Sequence, residues 1–211
     1  MVSSLLLSLL LVVAAPAGAR VQRVPPLDDC GADPSFAAFR VELEQAIARK
    51  DSGLLLGVVA DGIEVDFGGG AGRAHFAETW ALDRPEASPL WGELGEVLRL
   101  GCAGDGQGGY WMPSLVMAED YEDGFTAAVA IRPGALLHAA PDPLSPVVAT
   151  LEWDVLTVPQ WEWDAPWQRV EMADGRSGHV RTEDIRSPID YRALFEPVDG
   201  RWRMTVFIAG D

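Results

Sequence analysis

The chain has few residues of the types that bind metals or act as nucleophiles. It contains three histidines and two cysteines among 211 residues. His75, His138 and His179 do not lie at metal-ligand spacing from one another or from a cysteine, which argues against a zinc site. No Gly-x-Ser-x-Gly segment occurs, and the glycine run at 68–72 lacks the Lys-Ser/Thr ending of a phosphate-binding loop. We therefore expect no metal, no cofactor and no catalytic residues.

Basic residues are also scarce. Lys and Arg number 16 against 32 Asp and Glu, which gives a formal net charge of −16. A surface of this sign repels nucleic acid and anionic lipid, so neither is expected as a partner. The acids are spread along the chain and form no acidic tail, so most of them are expected to be solvated surface.

Long apolar runs are confined to the amino terminus. Residues 4–15 are almost wholly apolar, and Ala17-Gly18-Ala19 is a small-x-small cleavage pattern. Residues 1–19 are predicted to be a secretory signal peptide, followed by a linker at 20–29. A membrane anchor is the alternative, although the run is short for a span of about 20 residues. We expect a periplasmic or secreted protein with no stable membrane span after removal of the signal.

The two cysteines, Cys30 and Cys102, allow one intramolecular pairing. An exported chain reaches an oxidising compartment, where two cysteines commonly pair. A disulfide closing a loop of this size would stabilise the fold by about 4 kcal/mol in the chain-entropy model. Two buried thiols are the alternative.

Residues 30–120 are predicted to form an α+β module. Asp33 is a candidate helix cap, and apolar residues recur at helical spacing from there to about Lys50. A short helix, a strand at 63–67 and two further helices follow, the last of which is ended by Gly101. This order resembles the opening of nuclear transport factor 2-like (cystatin-like) cones, in which a helical layer curls against a bent antiparallel sheet. The resemblance implies more strands than this segment supplies.

The tail of the chain can supply the missing strands. Residues 191–195 and 202–208 alternate in polarity on either side of an Asp-Gly turn at 199–200. Either residues 188–211 complete the sheet of the first module, so that the second module is an insertion, or they extend the second module. We favour the insertion, and Ser187-Pro188 is the boundary in both topologies.

Residues 125–187 contain short β-like runs broken by Pro, Gly and Asp. An Asp-Gly turn at 174–175 joins two alternating segments, which predicts a hairpin. Residues 167–170 (Trp-Gln-Arg-Val) and 178–180 (Gly-His-Val) resemble motifs of bacterial Src-homology-3 (SH3-like) domains, with His179 in place of the usual Trp or Tyr. The resemblance implies a small bent barrel that holds a peptide, a cell-wall fragment or an envelope protein.

Four tryptophans in this segment have acidic neighbours, and we predict that they form a ligand-binding surface together with His179. Acidic flanks favour a cationic ligand through Coulomb and cation–π attraction. The alternative is that the indoles cover a small barrel core and a domain interface. The predicted ligand-binding residues are Trp153, Trp161, Trp163, Trp167 and His179.

These observations predict an α+β protein with a cone-like N-terminal module and a small SH3-like barrel inserted before the last two strands. The first functional hypothesis is a non-enzymatic, exported binding protein of the cell envelope. The second is a small enzyme that uses Asp66, His75 or Glu78 of the first module as an acid or base.

Overall fold

The computed structural model describes residues 22–119 and 121–210, so the predicted signal peptide at 1–19 lies outside the described residues. Within them the chain forms four α-helices and two β-sheets, which is an α+β fold as predicted. None of the described helices combines the length and the apolar character needed to cross a membrane.

The helices are α1 Pro34–Arg49, α2 Ser52–Val58, α3 Arg73–Thr79 and α4 Leu90–Arg99. The strands of the first sheet are β1 Val59–Glu64, β2 Ala103–Gly104, β3 Tyr110–Met112, β11 Arg192–Val198 and β12 Arg201–Ile208. The strands of the second sheet are β4 Ala127–Ala130, β5 Ala135–His138, β6 Val147–Leu151, β7 Val155–Thr157, β8 Trp167–Met172, β9 Ser177–Arg181 and β10 Ile185–Arg186.

Helix α1 forms as the sequence predicts because both of its ends carry local signals. The Asp33 carboxylate accepts hydrogen bonds from the backbone N–H groups of Ser35 and Phe36, which satisfies two of the unpaired donors at the helix start. Lys50 then adopts a left-handed conformation, with φ of 51°, and ends the helix. The buried face of α1, which contains Phe36 and Leu43, packs into the core of the first module.

The tail strands β11 and β12 lie in the first sheet, whose order is β1-β12-β11-β3-β2. Strand β12 pairs in parallel with β1 and in antiparallel with β11, so it occupies an interior position. The strands of the second sheet all fall between β3 and β11 in sequence. The second module therefore interrupts the chain of the first, which is the inserted topology.

One strand lies earlier than the sequence pattern indicates. The expected strand at 63–67 is replaced by β1, which begins at Val59 directly after α2. Asp61 and Gly62, which precede the expected strand, lie inside β1. The chain instead reverses after the strand, where Val65 donates to the carbonyl of Gly70 and Gly72 donates to that of Ile63.

Aromatic side chains from both ends of the chain meet in the first core. The ring of Phe36 lies 5.7 Å from that of Phe195 and 4.9 Å from that of Trp202, both of which belong to the tail strands. Elsewhere in the same core, the ring of Phe207 contacts the rings of Phe76 and Trp80. Because such contacts stabilise only when both partners are present, the first core depends on the tail.

The second sheet has the order β10-β4-β7-β8-β9-β5-β6, and every pairing in it is antiparallel. Strands β10 and β6 are its edges, and no ladder among the described residues closes it into a barrel. The predicted hairpin is present as β8 and β9, with Val170 opposite Gly178. Inward-facing Leu137, Val170 and Val180 are fully buried and form part of its core.

The two modules meet along a junction that contains apolar contacts and buried charge. Leu100 and Leu115 of the first module cluster there with Val129 and Ile131 of the second. Arg186, which is 5% exposed, donates to Glu93 Oε1 at 2.7 Å and to the carbonyl of Tyr191 at 2.7 Å. The buried guanidinium is therefore paired and hydrogen-bonded, as a buried charge must be.

A second set of charges spans the same junction. Burial disfavours the charged form of Glu96, but the guanidinium groups of Arg99 and Arg132 outweigh it and hold the pKa of Glu96 below its usual range. Arg99 belongs to α4, whereas Arg132 lies in the second module 3.1 Å from Glu96 Oε1. This carboxylate therefore accepts charge-assisted hydrogen bonds from Arg99 of its own helix and from Arg132 of the second module.

Cys30 and Cys102 form the predicted disulfide, with their Cα atoms 6.0 Å apart. It joins the segment before α1 to the start of β2, across 72 residues of sequence. The backbones of the two disulfide-linked segments also approach each other closely. A Cβ atom at Gly101 would lie 2.0 Å from the carbonyl oxygen of Leu27. Gly101, whose φ is 77°, is therefore required for this approach.

We predict that a chain ending at Pro188 loses the cooperative unfolding of its first module. Such a chain lacks β11 and β12, which supply the hydrogen-bonded partner of β1 and the rings of Phe195 and Phe207. Circular dichroism melts measure the effect, and a chain ending at Ile208 is the matched control. Cooperative folding of residues 20–120 alone would contradict this prediction.

We predict that replacing Cys30 and Cys102 together by alanine lowers the free energy of unfolding by about 4 kcal/mol, because the 72-residue loop is no longer closed in the unfolded chain. Urea denaturation of the variant and of the oxidised protein measures the difference. Reduction of the wild type with dithiothreitol is the control and is expected to give a similar loss. Equal urea midpoints for variant and oxidised wild type would refute the effect.

Candidate functional site

A groove on the second module combines an indole, an imidazole and two guanidinium groups. It has a volume of about 400 Å³ and lies where β5, β8 and β9 adjoin the loops around them. Its principal lining residues, which we call the groove residues, are Arg132, Leu136, His138, Trp167, Arg181 and Asp184.

Strand register brings the groove residues together. Trp167 of β8 lies opposite Arg181 of β9, and His179 of β9 lies opposite His138 of β5. Residues two apart on a strand share a face, so His179 and Arg181 project to the same side. Gly178 permits the close approach of β5, because a Cβ atom there would lie 2.4 Å from the carbonyl oxygen of His138.

Trp167 forms one wall of the groove and is itself held by two contacts. The guanidinium carbon of Arg181 lies 5.0 Å from the centroid of the indole, which is a cation–π geometry. The ring of His138 lies 5.4 Å from that of Trp167, with the two planes at 86°. The indole is therefore fixed in position and remains half-buried.

His138 is the most enclosed polar group of the groove, with 6% of its surface exposed. Its Nδ1 lies 3.2 Å from the carbonyl oxygen of Ser145, which can only accept, so Nδ1 carries the proton. The other ring nitrogen, Nε2, has no hydrogen-bond partner in residues 22–119 and 121–210. Nε2 is not one of the fully buried unpaired atoms of the described residues, so it is accessible from the groove and can accept a hydrogen bond from a ligand.

The charged groups that line the groove are two arginines and one carboxyl group. Arg132 and Arg181 provide two guanidinium groups, and Asp184 provides one carboxyl group. Burial and the neighbouring Glu183 carboxylate raise the pKa of Asp184 above its usual range, against the opposing effect of the two arginines. The two guanidinium groups can donate to an anionic group such as a carboxylate, which they would share with Glu96, 3.1 Å from Arg132, and Glu183, 3.9 Å from Arg181.

The predicted ligand residues occupy three different places. Trp167 lines the groove, and His179 lies beside it with a buried Nδ1 that has no partner among the described residues. Trp161 and Trp163 stack on each other in the loop at 159–166. Trp153 packs at the junction between the modules, where its carbonyl accepts from the backbone N–H of Val24.

Sequence reasoning did not select Arg132, His138 or Arg181 as ligand residues. Arg181 could have been found, because it follows His179 by two positions in a strand that alternates. Arg132 and His138 come from a different hairpin, and no local pattern links them to Trp167. Of the acids that flank the tryptophans in sequence, neither Glu162 nor Asp164 lines the groove.

Gln168 fixes the loop that carries Trp161 and Trp163. Its side chain is 1% exposed, and its carboxamide accepts from the N–H of Glu162 at 3.0 Å and donates to the carbonyl of the same residue at 2.7 Å. Gln168 Nε2 also donates to Thr182 Oγ1 at 3.1 Å, and that hydroxyl donates to the carbonyl of Ala165 at 2.6 Å. The loop is therefore held by buried polar contacts.

The residues proposed for an enzyme lie in the first module. Asp66 Oδ2 is 3.4 Å from His75 Nε2, and the backbone N–H of Gly70 is the main cause of the lowered pKa of Asp66. Both side chains are about half exposed, Glu78 is exposed, and none of the three lines the groove. Among the described residues, the arrangement provides a carboxylate–imidazole contact on an open surface and does not enclose a position for a substrate.

A metal ion has no ready ligand set near the cysteines. Asp28, Cys30 and Cys102 bring their ligand atoms within 4.8 Å of one another. The two sulfur atoms are bonded to each other and are therefore not thiolate ligands.

Comparisons with known proteins returned no similarity from which a function could be taken. No family model, no curated protein and no solved structure matches this chain. The functional assignment of the groove accordingly depends on its own residues.

We predict that Gln168→Leu releases the loop at 159–166. The change leaves the backbone groups of Glu162 without their buried partner, which is expected to lower the free energy of unfolding by about 1–3 kcal/mol. Hydrogen exchange of the Glu162 amide measures the local effect. Gln160→Leu, in the same loop but exposed, is the control. Unchanged protection of the Glu162 amide in Gln168→Leu would show that the loop is held by other contacts.

Proposed function

We propose that this chain is an exported, non-enzymatic binding protein of the cell envelope, and that its second module holds a peptide or cell-wall fragment through a carboxylate in the groove. The observation that carries the proposal is His138. An almost fully enclosed imidazole has one nitrogen without a partner among the described residues and lines a groove that also contains Arg132 and Arg181.

The chemistry of the groove supports a peptide-like ligand. Arginine guanidinium groups bind carboxylates with charge-assisted hydrogen bonds, and Nε2 of His138 offers a further polar contact. Trp167 and Leu136 supply apolar surface for the adjoining part of the ligand. This combination of a few fixed polar groups with apolar walls is typical of small-ligand sites.

Two features support export. The disulfide between Cys30 and Cys102 fits an oxidising compartment. The predicted signal peptide at 1–19 would direct the chain there. We propose that the protein is located in the periplasm or outside the cell. The resemblance of residues 125–187 to SH3-like domains is a further reason to expect a ligand from the cell wall or envelope.

The proposal predicts that Arg181→Gln weakens binding of N-acetyl-alanyl-alanine, a dipeptide with a free carboxylate. Loss of one hydrogen-bonded charge is expected to weaken the affinity about tenfold to hundredfold, because such bonds contribute about 1.5–3 kcal/mol. Isothermal titration calorimetry of the full chain measures the affinity. Arg169→Gln, which lies on β8 outside the groove and pairs with Glu171, is the matched control.

The same titration with the C-terminal amide of the dipeptide tests the role of the carboxylate. The amide is expected to bind weakly to the wild type, since it cannot accept from a guanidinium group as an anion. Equal binding of amide and acid, or equal weakening by Arg169→Gln and Arg181→Gln, would contradict the proposed carboxylate site.

A further inference from the structure

The loop at 159–166 presents a flat aromatic surface that lies outside the groove. Trp163 is 63% exposed, and its ring lies parallel to that of Trp161, with centroids 4.7 Å apart and planes 5° from parallel. The stack covers one face of the Trp163 ring and leaves the other face open. The two stacked indoles form one aromatic surface, of which the Trp163 ring is the exposed part.

The inner member of the stack is anchored, so the surface is preorganised. Trp161 packs against the core of the second sheet, and its Nε1 donates to the carbonyl of Phe125 at 3.1 Å. Gln168 holds the backbone between the two indoles at Glu162. A ligand at Trp163 would therefore meet a surface that loses little conformational freedom on binding.

The two residues next to Trp163 in sequence are acidic. Glu162 and Asp164 flank Trp163 in sequence, and both are exposed. Neither forms an ion pair with a lysine, arginine or histidine in the described part of the chain. The net charge of −16 adds a long-range potential of the same sign.

We infer that the open face of Trp163, with Glu162 and Asp164, binds the lysine or arginine side chain of a basic peptide segment in a partner protein. The cation lies over the indole, where the ring quadrupole attracts it, and the carboxylates accept its N–H groups. A neutral sugar would use the ring but gain nothing from the two charges, and an anionic lipid surface would be repelled. The preference for a cation is opposite to that of the groove.

The test uses the full chain and an acetylated, amidated peptide of three Lys-Ala repeats, titrated by calorimetry at low salt. Trp163→Ala is expected to weaken binding about twofold to fivefold, the factor that a cation–π contact supplies at an exposed site. Glu162→Gln with Asp164→Asn is expected to weaken it by a comparable factor. Glu78→Gln with Asp83→Asn, two exposed acids of the first module, changes the net charge equally and is the matched control.

Several results would overturn the inference. These are a wild type that does not bind the peptide, a Trp163→Ala variant that binds it as well as the wild type, or a control pair that weakens binding as much as the Glu162 and Asp164 pair. Binding of an N-acetylglucosamine oligomer that is unaffected at Glu162 and Asp164 would assign the surface to a sugar. Self-association abolished by Trp163→Ala would assign it to a second copy of the chain.

A second measurement keeps the inference testable if Trp163→Ala lowers the melting temperature. The Nε1–H resonance of Trp163 in the wild type is followed by NMR during the peptide titration, and Trp163→Phe, which keeps an aromatic ring, is expected to retain part of the affinity. A shift of that resonance at peptide concentrations that saturate the calorimetric signal supports the inference. A stationary resonance overturns it.

Discussion

The first sheet depends on strand β12, which lies between β1 and β11 and pairs in parallel with a strand far from it in sequence. Parallel strands cannot be joined by a tight turn, so no local connection holds β1 and β12 together. Their pairing must be stabilised by the core that they cover. That core contains many aromatic side chains. Two of them come from the tail, where the ring of Phe195 contacts that of Phe36 and the ring of Phe207 contacts that of Trp80. The first module is therefore finished only after the chain has passed through the second.

The junction between the modules is held at two places by different kinds of contact. Arg186 fixes the return to the first module through Glu93 and the carbonyl of Tyr191. At the other end, the segment at 22–28 runs from the Trp153 carbonyl to the disulfide region. The junction therefore combines a buried ion pair and apolar packing, and the disulfide lies near it. The contacts that we propose lie on other surfaces of the second module.

Those surfaces differ in the charged residues that they present. In the groove, Arg132 and Arg181 outnumber the one carboxyl group, and the enclosed His138 adds a polar contact. At the loop, an exposed indole lies between Glu162 and Asp164. Both surfaces depend on β8. Its first residue, Trp167, lines the groove, and its second, Gln168, donates a hydrogen bond to the loop at Glu162. Alternation along one strand thus serves two surfaces.

The sequence by itself determined the features that depend on neighbouring residues. These include the capped helix α1, the Asp-Gly hairpin and the single possible disulfide, because a cap, a turn and a lone cysteine pair each have one local solution. It could not determine strand partners, since alternation shows that a segment is extended without showing what it pairs with. Only the tertiary structure separated the tryptophans, sending Trp153 to the junction and Trp167 to the groove. It alone placed Arg181 opposite Trp167 and His138 beside both, because register between distant strands is set by the packing of the whole sheet.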